Sequence, residues 1–294
     1  MSTTVVEPTA SAAGAMSVSP FRGPLAIAMY TWREGMRKKT LIGFLMLSML
    51  VIFGSMFMTA LMGDFGATDE VDSDVQGKII KDICVSTISI FGILITIFIS
   101  ASVVPAEMEN KVIYTVLSKP VRRFQYLAGK FLGVQMIVLI NLVLMSALFF
   151  FALYFRGGVW PTLLLWSTLL TYFQFLIVSS FTFAVSCTST SSVLPTIAGL
   201  FIYITGNLTE YLKDVAARAG EAEGALDVFV GRLAMVMYQI LPNLRVFDLK
   251  DHILYLNPND PPAEVQIPNL IAYGLLFSAL GYLLAYWLFR RKEL

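Results

Sequence analysis

Residues 131–155 read FLGVQMIVLINLVLMSALFFFALYF and contain no charged side chain. A helix needs about 20 mostly apolar residues to cross the hydrocarbon core of a bilayer, so this stretch is long enough to span it. Five further stretches have the same character. We therefore predict an all-α integral membrane protein with six transmembrane helices, at about 40–62, 83–104, 131–155, 163–186, 193–208 and 268–289. The fifth is the shortest, because Pro195 lies near its start and Asn207 near its end.

The composition supports a membrane protein and excludes several other classes. Apolar residues make up 57% of the 294 positions and charged residues 14%, whereas an ordinary soluble domain carries about 25% charged residues. A net charge of +1 provides no basic field for nucleic acid. Two cysteines and one histidine are too few for a disulfide scaffold or a typical metal site. We expect no metal or cofactor in this chain.

Basic residues predict the orientation in the membrane. The N-terminal region, the loop between the second and third spans and the C-terminus together hold 13 basic and 5 acidic residues, and the other side holds 8 basic and 15 acidic ones. Basic flanks favour the cytoplasmic face. We expect a multi-pass protein of the cell inner (cytoplasmic) membrane with both termini in the cytoplasm. Residues 1–22 are predicted to be a disordered tail, and residues 23–294 the six-span domain.

Two segments then lie outside the membrane, an acidic loop at 63–82 and a longer segment at 209–267. Within the second, apolar residues recur at helical spacing and predict an amphipathic helix, formed by Leu226, Phe229, Val230, Leu233, Met237 and Ile240. Packing against the spans or the membrane surface is the favoured role for this helix, and contact with a substrate is the alternative.

The sequence offers little for catalysis. The deep polar residues of the spans are uncharged, which favours hydrogen bonds between helices over a hydroxyl-lined substrate path. The only histidine, His252, has no partner at ligand spacing, and no nucleophile–base pair can be assembled. The phosphate-binding loop of an ATPase, Gly-x-x-x-x-Gly-Lys-Ser/Thr, is absent from the sequence. We do not expect an enzyme, and any ATP and magnesium must be bound by another chain.

A basic amphipathic helix is predicted at 23–39, before the first span. Its apolar face carries Leu25, Ala28, Met29, Trp32 and Met36, and its polar face carries charged residues that include Arg33 and Arg37. Such a helix is expected to lie flat on the inner leaflet, with the tryptophan at the interface. Simple anchoring and a mechanical role are both consistent with the pattern.

The cytoplasmic loop between the second and third spans, at about 106–133, contains a second amphipathic pattern. Met108, Val112, Ile113 and Val116 form an apolar stripe on a short helix. Pro120 ends this helix, and a new one from about Val121 continues into the third span. The segment has the form of a docking element, although a loop that merely carries the cytoplasmic basic residues would also fit.

These residues resemble a known signature. Glu-Met-Glu at 107–109, VLSKPVRR at 116–123 and LAGK at 127–130 are similar to the motifs of type-2 ABC exporter permeases, the membrane-spanning subunits of ABC transporters. The Leu-Pro-Asn at 241–243 and the basic C-terminus are similar as well. Lys111 and Val112 stand where that family has Gly-Thr, so no contact is carried over to those two positions.

The resemblance implies a membrane subunit that forms the translocation path of an exporter and works with a cytoplasmic ABC ATPase and a second permease subunit, identical or different. It implies that the loop is a coupling helix seated on the ATPase, braced by the helix with Trp32, Arg33 and Arg37. The residues it assigns to coupling are Glu107, Glu109, Ser118, Pro120, Arg122 and Arg123. Membrane lipid is the other expected partner, and no nucleic acid is expected. The alternative is a non-transporting membrane scaffold or anchor for a protein complex.

Overall fold

The computed structural model describes residues 22–65, 70–109, 123–155, 162–220, 225–248 and 266–291. All the regular structure in these ranges is helical. The helices are α1 (Arg22–Met36), α2 (Lys39–Phe65), α3 (Glu70–Glu109), α4 (Arg123–Phe155), α5 (Thr162–Ser186), α6 (Val193–Asn207), α7 (Thr209–Gly220), α8 (Ala225–Ile240) and α9 (Ile267–Arg291), with a 3-10 turn at Arg245–Phe247.

Five helices among the described residues are long and apolar enough to cross a membrane: Lys39–Met58, Lys81–Glu109, Arg123–Phe151, Leu165–Ser186 and Ile267–Arg291. They match the first, second, third, fourth and sixth predicted spans. The predicted fifth span forms α6, which has only 15 residues. At 1.5 Å per residue it is about 22 Å long. The prediction of an all-helical, multi-pass membrane protein is confirmed. The prediction of six full-length spans is not confirmed, because five helices among the described residues meet the length that a span needs.

The centre of the bundle is α5, which packs against α3, α4, α6 and α9. Small residues allow these helices to approach closely. A methyl group added at Gly274 of α9 would lie 3.0 Å from Cβ of Phe173 on α5. Polar side chains also join the helices, since Gln135 of α4 donates from Nε2 to Oγ of Ser179 at 2.6 Å. At this site the hydrogen bonding between helices that the sequence predicted is confirmed.

The segment between the first two spans differs from the prediction. The acidic stretch expected as a loop at 63–82 is largely helical, because α2 continues to Phe65 and α3 begins at Glu70. Hydropathy marks only the part of a helix that lies in hydrocarbon, and α3, with 40 residues, is about 60 Å long. The helix therefore extends well beyond its apolar stretch.

The amphipathic helix predicted near residues 226–240 is confirmed as α8, and it packs against α7. Its small residues Gly231 and Ala234 are buried. The apolar stripe used for the prediction is exposed instead, with Leu226 80% and Phe229 65% accessible in the isolated chain. The contact between α7 and α8 is thus made by small side chains and not by the large apolar ones.

Candidate functional site

Helix α1 packs along the first half of α4, and glycines on α4 allow the two backbones to touch. A methyl group at Gly129 would lie 2.6 Å from the carbonyl oxygen of Pro24, and one at Gly133 would lie 2.8 Å from that of Ala28. Because 24 pairs with 129 and 28 with 133, the two helices run in the same direction. Close backbone approach at glycine is a common way in which helices associate in membranes.

The face of α1 that contacts α4 consists of small residues, and the flat position of the helix on the inner leaflet stays a prediction. The buried residues of α1 are Ala28, Thr31 and Gly35. Leu25 and Met29, which were assigned to its membrane-facing side, are 57% and 40% exposed and lie away from α4. The helix is therefore a packed part of the bundle, since small side chains opposite Gly129 and Gly133 determine its contact face.

A buried ion pair lies where the second and third spans approach the segment that joins them. Glu107 of α3 accepts a hydrogen bond from the ammonium group of Lys130 and another from the hydroxyl group of Tyr126, both on α4. Glu107 is 4% exposed, Lys130 1% and Tyr126 0%. Removing two opposite charges from water is costly, and the cost is offset only when the charges are paired and hydrogen-bonded. Both conditions are met here.

Aromatic side chains from two other helices, α9 and α1, complete the surroundings of this pair. The ring of Tyr126 stacks on Phe289 near the end of α9, with 5.9 Å between ring centroids. The ammonium group of Lys130 lies 5.4 Å from the ring centroid of Tyr30 on α1, a distance at which cation–π attraction operates. We call Glu107, Lys130, Tyr126, Tyr30 and Phe289 the hub, because it joins α1, α3, α4 and α9.

A second lysine ties the start of the first span to α3. Lys38, in the turn between α1 and α2, donates a hydrogen bond to Oγ of Ser102 at 2.8 Å. Burial lowers the pKa of Lys38, while the nearby carboxylate of Glu34 acts in the opposite direction. The pKa of Tyr30 is raised, chiefly by the negative charge of Glu34. The negative charge of Glu107 on α3 also raises the pKa of Tyr30, so α3 influences a group of α1.

A family model described as ABC-2 family transporter protein matches residues 25–294 of the sequence. The chain belongs to this family. Of the curated proteins, none matches it. The match covers the whole helical bundle, so the chain is a multi-pass membrane subunit of an ABC transporter, as the signature at 107–130 indicated.

The residues that we assigned to coupling in this ABC-2 subunit differ in whether they are buried or exposed. Glu107 is buried in the hub, whereas Glu109 and Arg123 are exposed at the ends of α3 and α4. Ser118, Pro120 and Arg122 lie outside the described residues, as does most of the predicted coupling helix. The structure therefore describes Glu109 and Arg123, which flank the segment, whereas residues 110–122 lie outside the described residues.

The assigned residues of α1 also divide into two groups. Arg33 and Arg37 are exposed, and Trp32 is half-buried against the core. The indole N–H of Trp32 is buried and has no hydrogen-bond acceptor among the described residues. Trp32 therefore contributes its apolar ring to the packing of α1, while the two arginines remain available to other groups.

Sequence reasoning missed Lys130, Tyr126 and Tyr30 as site residues. Lys130 had been noted only as part of the Gly-Lys that opens the third span. One signal in the sequence could have identified it, since Glu107 and Lys130 are the charged residues nearest to the second and third spans at the ends that the loop joins. Opposite charges at the same depth of two adjacent helices favour pairing.

Proposed function

We propose that this ABC-2 subunit forms the translocation path of an exporter and couples it to a separate cytoplasmic ATPase through residues 107–123. The observation that carries the proposal is the arrangement of the two helix ends. Glu107 near the end of α3 is bonded to Lys130 and Tyr126 near the start of α4. A force on the intervening segment would therefore act on two spans together.

The start of α4 supports a position outside the hydrocarbon. Its first eight residues, 123–130, include Arg123 and Lys130, and residues 131–155 that follow carry no charge. Eight helical residues are about 12 Å long. The charge-free stretch alone is long enough to cross the bilayer, so the charged turns would protrude on the side where the signature lies. The resemblance to type-2 ABC exporter permeases implies that this segment meets the ATPase.

Both termini and the segment at 110–122 would then lie in the cytoplasm, and the hairpin of α7 and α8 would lie on the outer side. Exposed apolar side chains cover much of α2 and α9, including Leu50 and Leu283. Lipid and a second permease subunit are the partners that such faces require, because bare apolar surface of this extent is not stable in water. Identical and different second subunits fit equally.

The test is to isolate the complex from its native membrane. The chain carries an affinity tag at its C-terminus, is extracted in a mild detergent, and its partners are identified by mass spectrometry. We expect a stoichiometric partner with a Gly-x-x-x-x-Gly-Lys-Ser/Thr loop and ATP hydrolysis in the eluate. A matched tagged chain that lacks residues 110–122 serves as the control and should lose the ATPase.

The alternative function is a membrane scaffold that anchors a protein complex without transport. It predicts co-purifying proteins with no ATPase among them in several mild detergents, and unchanged partners when residues 110–122 are removed. That pair of results would overturn the exporter proposal.

A further inference from the structure

We infer that Glu107 is a positioning residue that acts inside the chain: with Lys130 and Tyr126 it clamps the two ends of the 110–122 segment into one unit. The inference rests on the proposed function for its purpose, since the clamp would hold the segment for the ATPase. It assigns Glu107 a role different from contact with the partner, which the signature alone had suggested.

Burial separates Glu107 from its neighbour Glu109. The side chain of Glu107 is 4% exposed and its carboxylate is occupied by the ammonium group of Lys130 and the hydroxyl group of Tyr126. Glu109, two residues later, is exposed. Residues at positions i and i+2 of a helix point to different sides. Only Glu109 can therefore reach a charge on a partner chain.

The clamp joins two helix ends that are close together in the sequence. Glu107 stands two residues before the end of α3, and Tyr126 stands three residues after the start of α4. The ion pair joins positions 107 and 130 and so encloses the whole segment between the two helices. Breaking a buried pair leaves an uncompensated charge, so the two helix ends are expected to move together and not separately.

The other members of the hub extend the clamp to α1 and α9. Tyr30 lies over Lys130, and Phe289 stacks on Tyr126. The carbonyl oxygen of Arg290, next to Phe289, also lies 3.5 Å from a guanidinium nitrogen of Arg123 at the start of α4. A tilt imposed on the segment would therefore be passed to the N-terminal helix and to the last span. Packed elements with two discrete arrangements transmit motion in this way.

The first experiment measures the chain alone and does not depend on any partner. Cysteines at Glu109→Cys and Arg123→Cys carry spin labels, and the distance between them is measured by pulsed electron paramagnetic resonance in lipid nanodiscs. The native Cys84 and Cys187 are fully buried, which limits unwanted labelling. We expect a narrow distance distribution in the parent and a clearly broader one with Glu107→Gln. Equal widths would overturn the clamp.

The second experiment uses the complex with the ATPase and measures ATP turnover in proteoliposomes. Allosteric coupling typically amounts to a change of about 5- to 150-fold, so we expect Glu107→Gln to lower the stimulated kcat about tenfold, with KM for ATP unchanged. The matched control is Asp214→Asn, the same carboxylate-to-amide change at an exposed position of α7 outside the hub, which should leave both the turnover and the label distance unchanged.

A charge swap distinguishes an internal clamp from a contact with the ATPase. Glu107→Lys and Lys130→Glu each leave two like charges buried together, and each should abolish turnover or expression. The double variant restores an opposite pair and should recover both turnover and the narrow distance distribution. If Glu107 instead binds the ATPase directly, the double variant will stay inactive although its label distances are normal, and the inference is wrong.

The outcomes separate this inference from the proposed function. A chain that binds no ATPase but shows the broadened distance with Glu107→Gln would overturn the exporter proposal and leave the clamp standing. A chain that binds the ATPase normally but shows unaltered distances with Glu107→Gln would overturn the clamp and leave the exporter proposal standing.

Discussion

Gly133 has no side chain, and this allows α1 to approach α4 closely. A methyl group there would lie 2.6 Å from Cβ of Thr31, well inside contact distance. At Gly43 of α2, by contrast, nothing lies within 4 Å. The same residue type therefore has a structural role in one helix and none in the other within the isolated chain.

At this scale we predict that Gly133→Leu destabilises the protein and Gly43→Leu does not. Overpacking in a close contact typically costs about 1–3 kcal/mol, because neighbouring side chains and backbone must shift. The measurement is thermal unfolding of the detergent-solubilised chain, followed by the loss of its monodisperse peak in size-exclusion chromatography. Equal melting temperatures of the two variants would show that the contact between α1 and α4 is not a stable part of the fold.

At the scale of elements, the end of α3, the start of α4 and the segment between them form the functional unit. The segment contributes Lys111, Lys119 and Arg122, and Arg123 follows at the first residue of α4. Glu109, which is exposed, is the only acidic residue between positions 108 and 123. By sequence this unit therefore carries a net positive charge, and an acidic surface on the ATPase would complement it.

We expect Arg122→Glu combined with Arg123→Glu to uncouple ATP hydrolysis from the membrane subunit while the chain still inserts. The reason is electrostatic, because like charges placed opposite each other at an interface slow association and weaken it. The matched control reverses Arg218 and Arg232, which are both exposed on α7 and α8, away from the segment. Co-purification of the ATPase and its stimulated turnover are the readouts. Normal values in the first variant would contradict the docking assignment.

At the scale of the whole molecule, the sequence was most informative where the membrane itself imposes the pattern. Charge-free stretches such as 131–155 located the spans because hydrocarbon excludes charge over a length set by the bilayer. Hydropathy does not show how far a helix continues into water, so the extent of α3 lay beyond the predicted span. The start of α4 at Arg123 agrees with the helix expected from about Val121, because Pro120 marks the end of the preceding one.

The hub illustrates why the rest could not be predicted. Glu107 and Lys130 are 23 residues apart in the sequence, and their pairing depends on the rotation of α3 and α4 about their own axes. Hydropathy carries no information about that rotation. The contact of α1 with α4 was not predicted for a related reason, since large apolar residues dominate a hydropathy pattern while the small residues Ala28, Thr31 and Gly35 are buried at the contact.

The orientation in the membrane yields a prediction for the intact cell. A cysteine introduced at Leu226, 80% exposed on α8, should react with a membrane-impermeant thiol reagent added outside. A cysteine at Arg33 of α1 should react only after the cells are permeabilised, because basic flanks retain that helix in the cytoplasm. The buried Cys84 and Cys187 contribute little background. The opposite labelling pattern would show that the chain has the reverse orientation in the membrane and that this prediction is wrong.

Helix α6 has a consequence for the surrounding lipid. Its 15 residues reach about 22 Å, some 8 Å less than the hydrocarbon thickness of a typical bilayer. Its exposed face is apolar, with Leu194, Ile197 and Phe201 prominent, and polar turns stand at both of its ends. If α6 spans the bilayer as predicted, the lipid beside it must thin, at a cost of a fraction of a kcal/mol per Å of mismatch. We then expect ATP turnover of the reconstituted complex to be higher in bilayers of short-chain lipids than in long-chain ones with the same headgroup, and equal turnover in the two would show that α6 does not couple the transporter to membrane thickness.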